Sequence, residues 1–80
     1  MEGRMNHAKL EKSVRLQELL AFLRMRGKYG ATTKEILIHC EHVAAVSAAV
    51  AELRANGISV DCDAERKSAS GATVYRYRIL

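Results

Sequence analysis

Residues 43–63, VAAVSAAVAELRANGISVDCD, decide the fold, because they hold a helix, its stop signal and the strand that follows. Val43, Val46, Val50 and Leu53 step by three and four residues and so form one helical stripe that must be buried. At about 100° per residue, the opposite face carries Ala44, Ala48, Ala51 and Ala55, flanked by Ala45 and Glu52. Gly57, after Arg54-Ala55-Asn56, sits where a left-handed cap ends a helix. Ile58-Ser59-Val60-Asp61-Cys62-Asp63 then alternates apolar with polar, the period of a half-buried strand.

Downstream, residues 65–71 are polar, with Ser68, Ser70 and Gly71 as turn formers. Residues 73–80, TVYRYRIL, alternate again and are rich in β-branched and aromatic side chains. Tyr75, Tyr77 and Ile79 share one face, and Val74, Arg76, Arg78 and Leu80 the other. Residues 58–62 are expected to pair antiparallel with residues 74–79. Arg76 and Arg78 are expected to pair with Asp61 and Asp63 across the hairpin.

Upstream, residues 13–26 predict a long first helix with Leu16, Leu19, Leu20 and Leu23 as its buried stripe, widened by Phe22 and Met25. Gly27 and Gly30 bracket a break around Lys28-Tyr29. Thr32-x-x-Glu35 matches a capping box, in which the threonine oxygen accepts a backbone N–H and the glutamate reaches back to another. A short helix from Thr33 to about His39 follows, burying Ile36, Leu37 and Cys40. The predicted architecture is α+β: three helices, then a C-terminal two-stranded hairpin. Residues 1–12 read as a frayed segment leading into the first helix, and residues 13–80 as one domain.

Eighty residues, 49% of them apolar, can bury one core and are not compositionally disordered. No apolar run approaches the roughly 18 residues of a membrane span, so no membrane partner is expected. Residues 1–6 lack the apolar centre of a secretory signal. Two cysteines do not make a disulfide framework, and a reducing cytoplasm is the expected compartment. The net charge of +4 is unevenly spread. Residues 1–28 carry a surplus of four basic groups, residues 29–57 a deficit of one, and residues 58–80 a surplus of one. The third helix therefore lies in the segment poorest in basic charge.

His39, Cys40 and His42 are clustered, but three ligands so close cannot converge from one helix. Zinc sites draw separated pairs, and Cys62 alone does not complete one. No serine, cysteine or carboxylate has a visible base partner, and there is no glycine-rich phosphate loop. Neither an enzyme, a metal, a cofactor nor a small-molecule substrate is expected.

From residue 27 to 80 the chain resembles the winged helix-turn-helix fold, in particular the short helix-turn-helix domains of bacteriophage and prophage proteins. The likeness rests on Ala31-Thr32-Thr33-Lys34-Glu35-Ile36, on Val46-Ser47-Ala48-Ala49-Val50-Ala51-Glu52-Leu53-Arg54 with Gly57-Ile58, and on the closing Val74-Tyr75-Arg76-Tyr77-Arg78-Ile79-Leu80. The resemblance implies that residues 43–56 are a recognition helix, that residues 65–72 are the tip of a wing, and that the partner is double-stranded DNA in transcriptional control.

On that docking geometry Thr33, Lys34, His42 and Ser47 reach phosphates or base edges, with Ala45 beside them. Arg66 and Lys67, followed by Ser68, grip phosphate or enter the minor groove. Alanine can touch a thymine methyl but cannot form the bidentate pairs that discriminate bases. The row Ala44, Ala48, Ala51 and Ala55 therefore has a second reading, as a surface that lets a protein partner approach closely, for instance a host complex modulated by a phage-encoded protein. A third is a homodimer formed through the spare apolar residues of the first helix, Val14, Phe22 and Met25.

Overall fold

The computed structural model describes residues 9–67, 69 and 71–80; the side chains of Arg66 and Lys67, and all of Ser68, lie outside the described set. Within it the chain is α+β. Helix α1 is Val14–Arg26, strand β1 Ala31–Thr32, helix α2 Thr33–His39, helix α3 Val46–Ala55, strand β2 Val60–Lys67 and strand β3 Thr73–Ile79, with single 3-10 turns at Leu10–Lys12 and Gly27–Tyr29. Among the described residues no helix is long and apolar enough to cross a membrane.

Local chemistry sets the helix limits. Ser13 caps α1 by accepting from the Leu16 amide at 3.1 Å. The Thr32–Glu35 capping box opens α2 as expected, with both reciprocal bonds present. Gly57, at φ +86°, closes α3: its amide donates to Arg54 O and the Ile58 amide to Leu53 O, both at 3.0 Å, the paired bonds of a Schellman motif.

Helix α3 begins three residues later than its apolar spacing suggested. The Val43 amide donates to Cys40 O at 3.2 Å, and the Glu41 and His42 amides donate to the Glu18 carboxylate on α1 at 3.0 and 2.8 Å. The chain therefore turns at residues 40–45, and Ala45, in extended conformation, is the N-cap of α3. Val43 is buried all the same, from the turn rather than from the helix.

The core joins Leu16, Leu19, Leu20 and Leu23 of α1 to Val46, Ala49, Val50 and Leu53 of α3, with Ala31, Ile36, Cys40, Val43, Val60 and Tyr77 completing it. Burying each large side chain contributes about 1.5–3 kcal/mol. Two residues expected inside are outside. Leu37 is 46% exposed, because a seven-residue α2 turns only one narrow stripe, Ile36 with Cys40 after it, toward the core. Met25 is 74% exposed at the last turn of α1, past the point where Leu23 ends the contact with the core. Phe22 is half-buried and stacks on His39, with ring centroids 5.2 Å apart.

The hairpin pairs antiparallel as expected, with Val60 opposite Ile79, Cys62 opposite Tyr77 and Ala64 opposite Tyr75. It departs from the two-stranded expectation in gaining a third strand. β1 pairs with β3 through Ala31 opposite Tyr77 and Thr32 opposite Arg76, giving the order β1-β3-β2. Two residues are too few to show a period, which is why the sequence hid this strand. Gly30 makes the approach possible. At φ +61° and ψ −161°, any Cβ there would overlap the Tyr77 carbonyl oxygen. β2 also runs on to Lys67, so residues 65–67 belong to a strand and not to the turn.

Candidate nucleic-acid interface

The front of α2 is fixed by its capping box, so the first turn presents Thr33 and Lys34 from a rigid frame. Glu35 holds that frame. Its carboxylate accepts from the Thr32 amide at 2.9 Å and from Arg26 at 3.2 Å, with Arg76 at 3.9 Å. The Thr32 amide first, then the two arginine charges, hold its pKa below the usual glutamate range against the opposing effect of burial. Lys34 is exposed and makes no hydrogen bond or ion pair with any described residue. Thr33 is less free, because its side chain is close enough to the Tyr77 phenol to act on its pKa, in the lowering direction. That phenol is buried against the core, and burial is the main reason its pKa is raised.

The turn before α3 is organised by Glu18, a residue with no sequence signal beyond lying beside the leucine stripe. One oxygen accepts from the His42 amide and lies 3.2 Å from His42 Nδ1, while the other accepts from the Glu41 amide. The His42 amide is the largest cause lowering the Glu18 pKa. This bidentate clasp explains how the turn forms without glycine: no residue from 40 to 45 takes a positive φ. It also ties one edge of His42 to α1.

No side chain caps α3, so its first turn opens to solvent with Ser47 and Ala48 exposed. A helix start of this kind favours an anion through its free amides and the helix dipole. Ala44, Ala48, Ala51 and Ala55 are all exposed, so the alanine face is open in the single chain. Arg54, at the margin of that face, is turned away from it: its Nε and Nη2 donate to Val60 O at 3.2 and 2.9 Å. Glu52 pairs with Arg15 at 2.6 Å.

Arg26, Arg76 and Arg78 are engaged in holding the fold. Arg78 donates to Lys28 O at 3.2 Å, Arg76 to Tyr29 O at 2.8 Å and Arg26 to Gly30 O at 2.6 Å, so three successive carbonyls are each held by a guanidinium. Arg78 pairs with Asp61 and Asp63 as expected from cross-strand position, while Arg76 pairs with Glu65 at 2.6 Å. This clasp of residues 28–30 was not read from the sequence. Its one visible signal is the Gly27–Gly30 bracket facing alternate arginines on the last strand.

The structure sorts the expected site residues into two groups. Thr33 and Lys34 line a shallow groove with Thr73, Val74 and Tyr75 of β3, and Thr73 is opposite Lys67 of β2. His42, Ser47 and the alanines lie along the turn and outer face of α3. The Arg66 and Lys67 side chains fall outside the described residues, as does Ser68. His39, Cys40 and His42 do not converge: His39 stacks on Phe22, Cys40 is buried, and His42 faces Glu18. Burial, then the Glu18 charge, pushes the Cys40 thiol pKa up, away from reactivity. Comparisons with models of protein families, with curated proteins and with solved structures return no match.

Proposed function

We propose that the chain is a winged helix-turn-helix domain that binds double-stranded DNA, acting in the cytoplasm as a small regulator of transcription of the phage or prophage type. The observation that carries this reading is the topology: a short strand between the first two helices pairs with a C-terminal hairpin, and one face of α3 stays exposed. In this reading the open first turn of α3 enters the major groove. Lys34, together with Arg66 and Lys67, neutralises phosphate, and Ser47 and His42 lie at the groove edge. Binding is the role and catalysis is not.

Affinity in this reading is modest, because Arg54, Arg76 and Arg78 are committed to internal bonds. Three phosphate contacts correspond to a salt slope of about −2.7 in log affinity against log salt. Titrating a fluorescent duplex at several salt concentrations measures it. Replacing Lys34, Arg66 and Lys67 together with alanine should abolish binding, and wild-type affinity in that variant would remove these side chains from the site.

A second reading is favoured by the exposed, uncharged row Ala44, Ala48, Ala51 and Ala55, which suits close approach of a protein surface better than a phosphate backbone. The same exposure at Val14 and Met25 favours a homodimer through α1 as a variant of that reading.

A further inference from the structure

β3 is longer than the strand beside it. β1 covers only Tyr77 and Arg76, because at Thr33 the chain leaves the sheet and turns into α2. On the other side β3 is paired with β2 as far out as Thr73. Among the described residues, no strand pairs with the β1-side edge of residues 73–75. Backbone N–H and C=O groups along such an edge are a template for another extended chain.

A groove of about 400 Å³ occupies that place, lined by Thr32, Thr33, Lys34 and Leu37 on one side and Thr73, Val74 and Tyr75 on the other. Its walls are mainly apolar, and two large side chains that a core would normally absorb stand exposed in it: Leu37 at 46% and Tyr75 at 44%. Lys34, which has no partner among the described residues, sits at the rim.

From these features we propose that the groove binds an extended segment of a protein partner, which adds to the sheet antiparallel to β3 as a continuation of β1. Each feature selects one property of that segment. The open edge selects an extended backbone with free amides, hence no proline in the paired residues. The gap between Leu37 and Tyr75 selects one bulky apolar side chain directed toward α2, since alternate residues of an added strand face that side. Lys34 selects a carboxylate next to that anchor. The surface is distinct from the alanine face of α3 but shares Thr33 and Lys34 with the proposed DNA contact, and its test with peptide alone does not rest on DNA binding.

The test is a selection of blocked random octapeptides against the full chain, followed by mapping of amide shifts with the best binder. Selected peptides should share one bulky apolar residue with an aspartate or glutamate beside it, and should shift the amides of residues 73–75. Leu37→Ala and Tyr75→Ala, both at exposed positions, should each weaken the best binder at least tenfold. N-methylation of its alternate amides should abolish binding, and selection against Lys34→Glu should return lysine or arginine in place of the acid. A library that yields no binder, binders that shift α3 instead, or affinity that survives N-methylation would each overturn the proposal.

Discussion

Replacing Gly30 with alanine probes the contact that turns a hairpin into a three-stranded sheet. Gly30 has φ +61° and ψ −161°, a region open essentially to glycine, and forcing another residue into it costs about 1–3 kcal/mol. A methyl there would also overlap the Tyr77 carbonyl oxygen and lie 3.1 Å from Arg78 Cβ. Both neighbours belong to β3, which cannot yield without disturbing the pairing with β1 and β2. Overpacking of this kind adds about 1–3 kcal/mol, giving a loss of about 2–6 kcal/mol. A domain of this length has a total stability of about 4–12 kcal/mol. Gly57→Ala is the internal control. Its φ is +86°, but nothing lies within 4 Å of the added methyl, so only the backbone cost of about 1–2 kcal/mol applies. Urea unfolding followed by circular dichroism should place Gly30→Ala below Gly57→Ala by at least about 1 kcal/mol, roughly 4–8 °C in Tm. Equal losses in the two variants would refute the close approach of residue 30 to β3.

Leu53→Ala, at a fully buried position, should cost about 2–5 kcal/mol, and a loss under about 0.5 kcal/mol would show that the buried face of α3 is wrong. Glu18 and Glu35 both have folded pKa values below the ordinary glutamate range, so the unfolded chain binds their protons more readily. Their contributions are complete above that range and are lost as pH falls through the lowered folded values. Glu18→Gln should therefore flatten the acid limb of a stability–pH curve while changing its neutral plateau less. An unchanged acid limb would mean that the carboxylate clasp on the Glu41 and His42 amides contributes nothing.

Where the chain repeats a period, its fold was legible. The leucine stripe of α1, the capping box of α2, the glycine stop of α3 and the alternation of the hairpin each appear where the spacing put them. The errors arise where long-range chemistry replaces local pattern. Val43 continues the stripe of α3 in sequence, yet a carboxylate from α1 draws the chain before Ala45 into a turn. β1 is created by its partner, since two residues have no period of their own. Leu37 and Met25 looked like core because they are apolar, whereas their place on helix faces already filled by neighbours leaves them in solvent. Of the candidate site, the exposure of Lys34, Ser47 and the alanine row follows from helix phase. The internal commitments of Arg54, Arg76 and Thr33 do not, because each depends on a partner brought near only by folding.

Ala48→Glu tests the central claim, that the open face of α3 meets DNA. Ala48 is exposed in the first turns of α3, and glutamate is a good helix former, so folding should be nearly unchanged. A duplex titration and sedimentation are run on the same folded variant. DNA binding through α3 predicts a sharp drop in duplex affinity, because the new charge faces phosphates, with no change in sedimentation. A variant that binds duplex as the unchanged chain does would contradict the claim, and loss of a dimer in the same sample would assign the face to a protein partner instead.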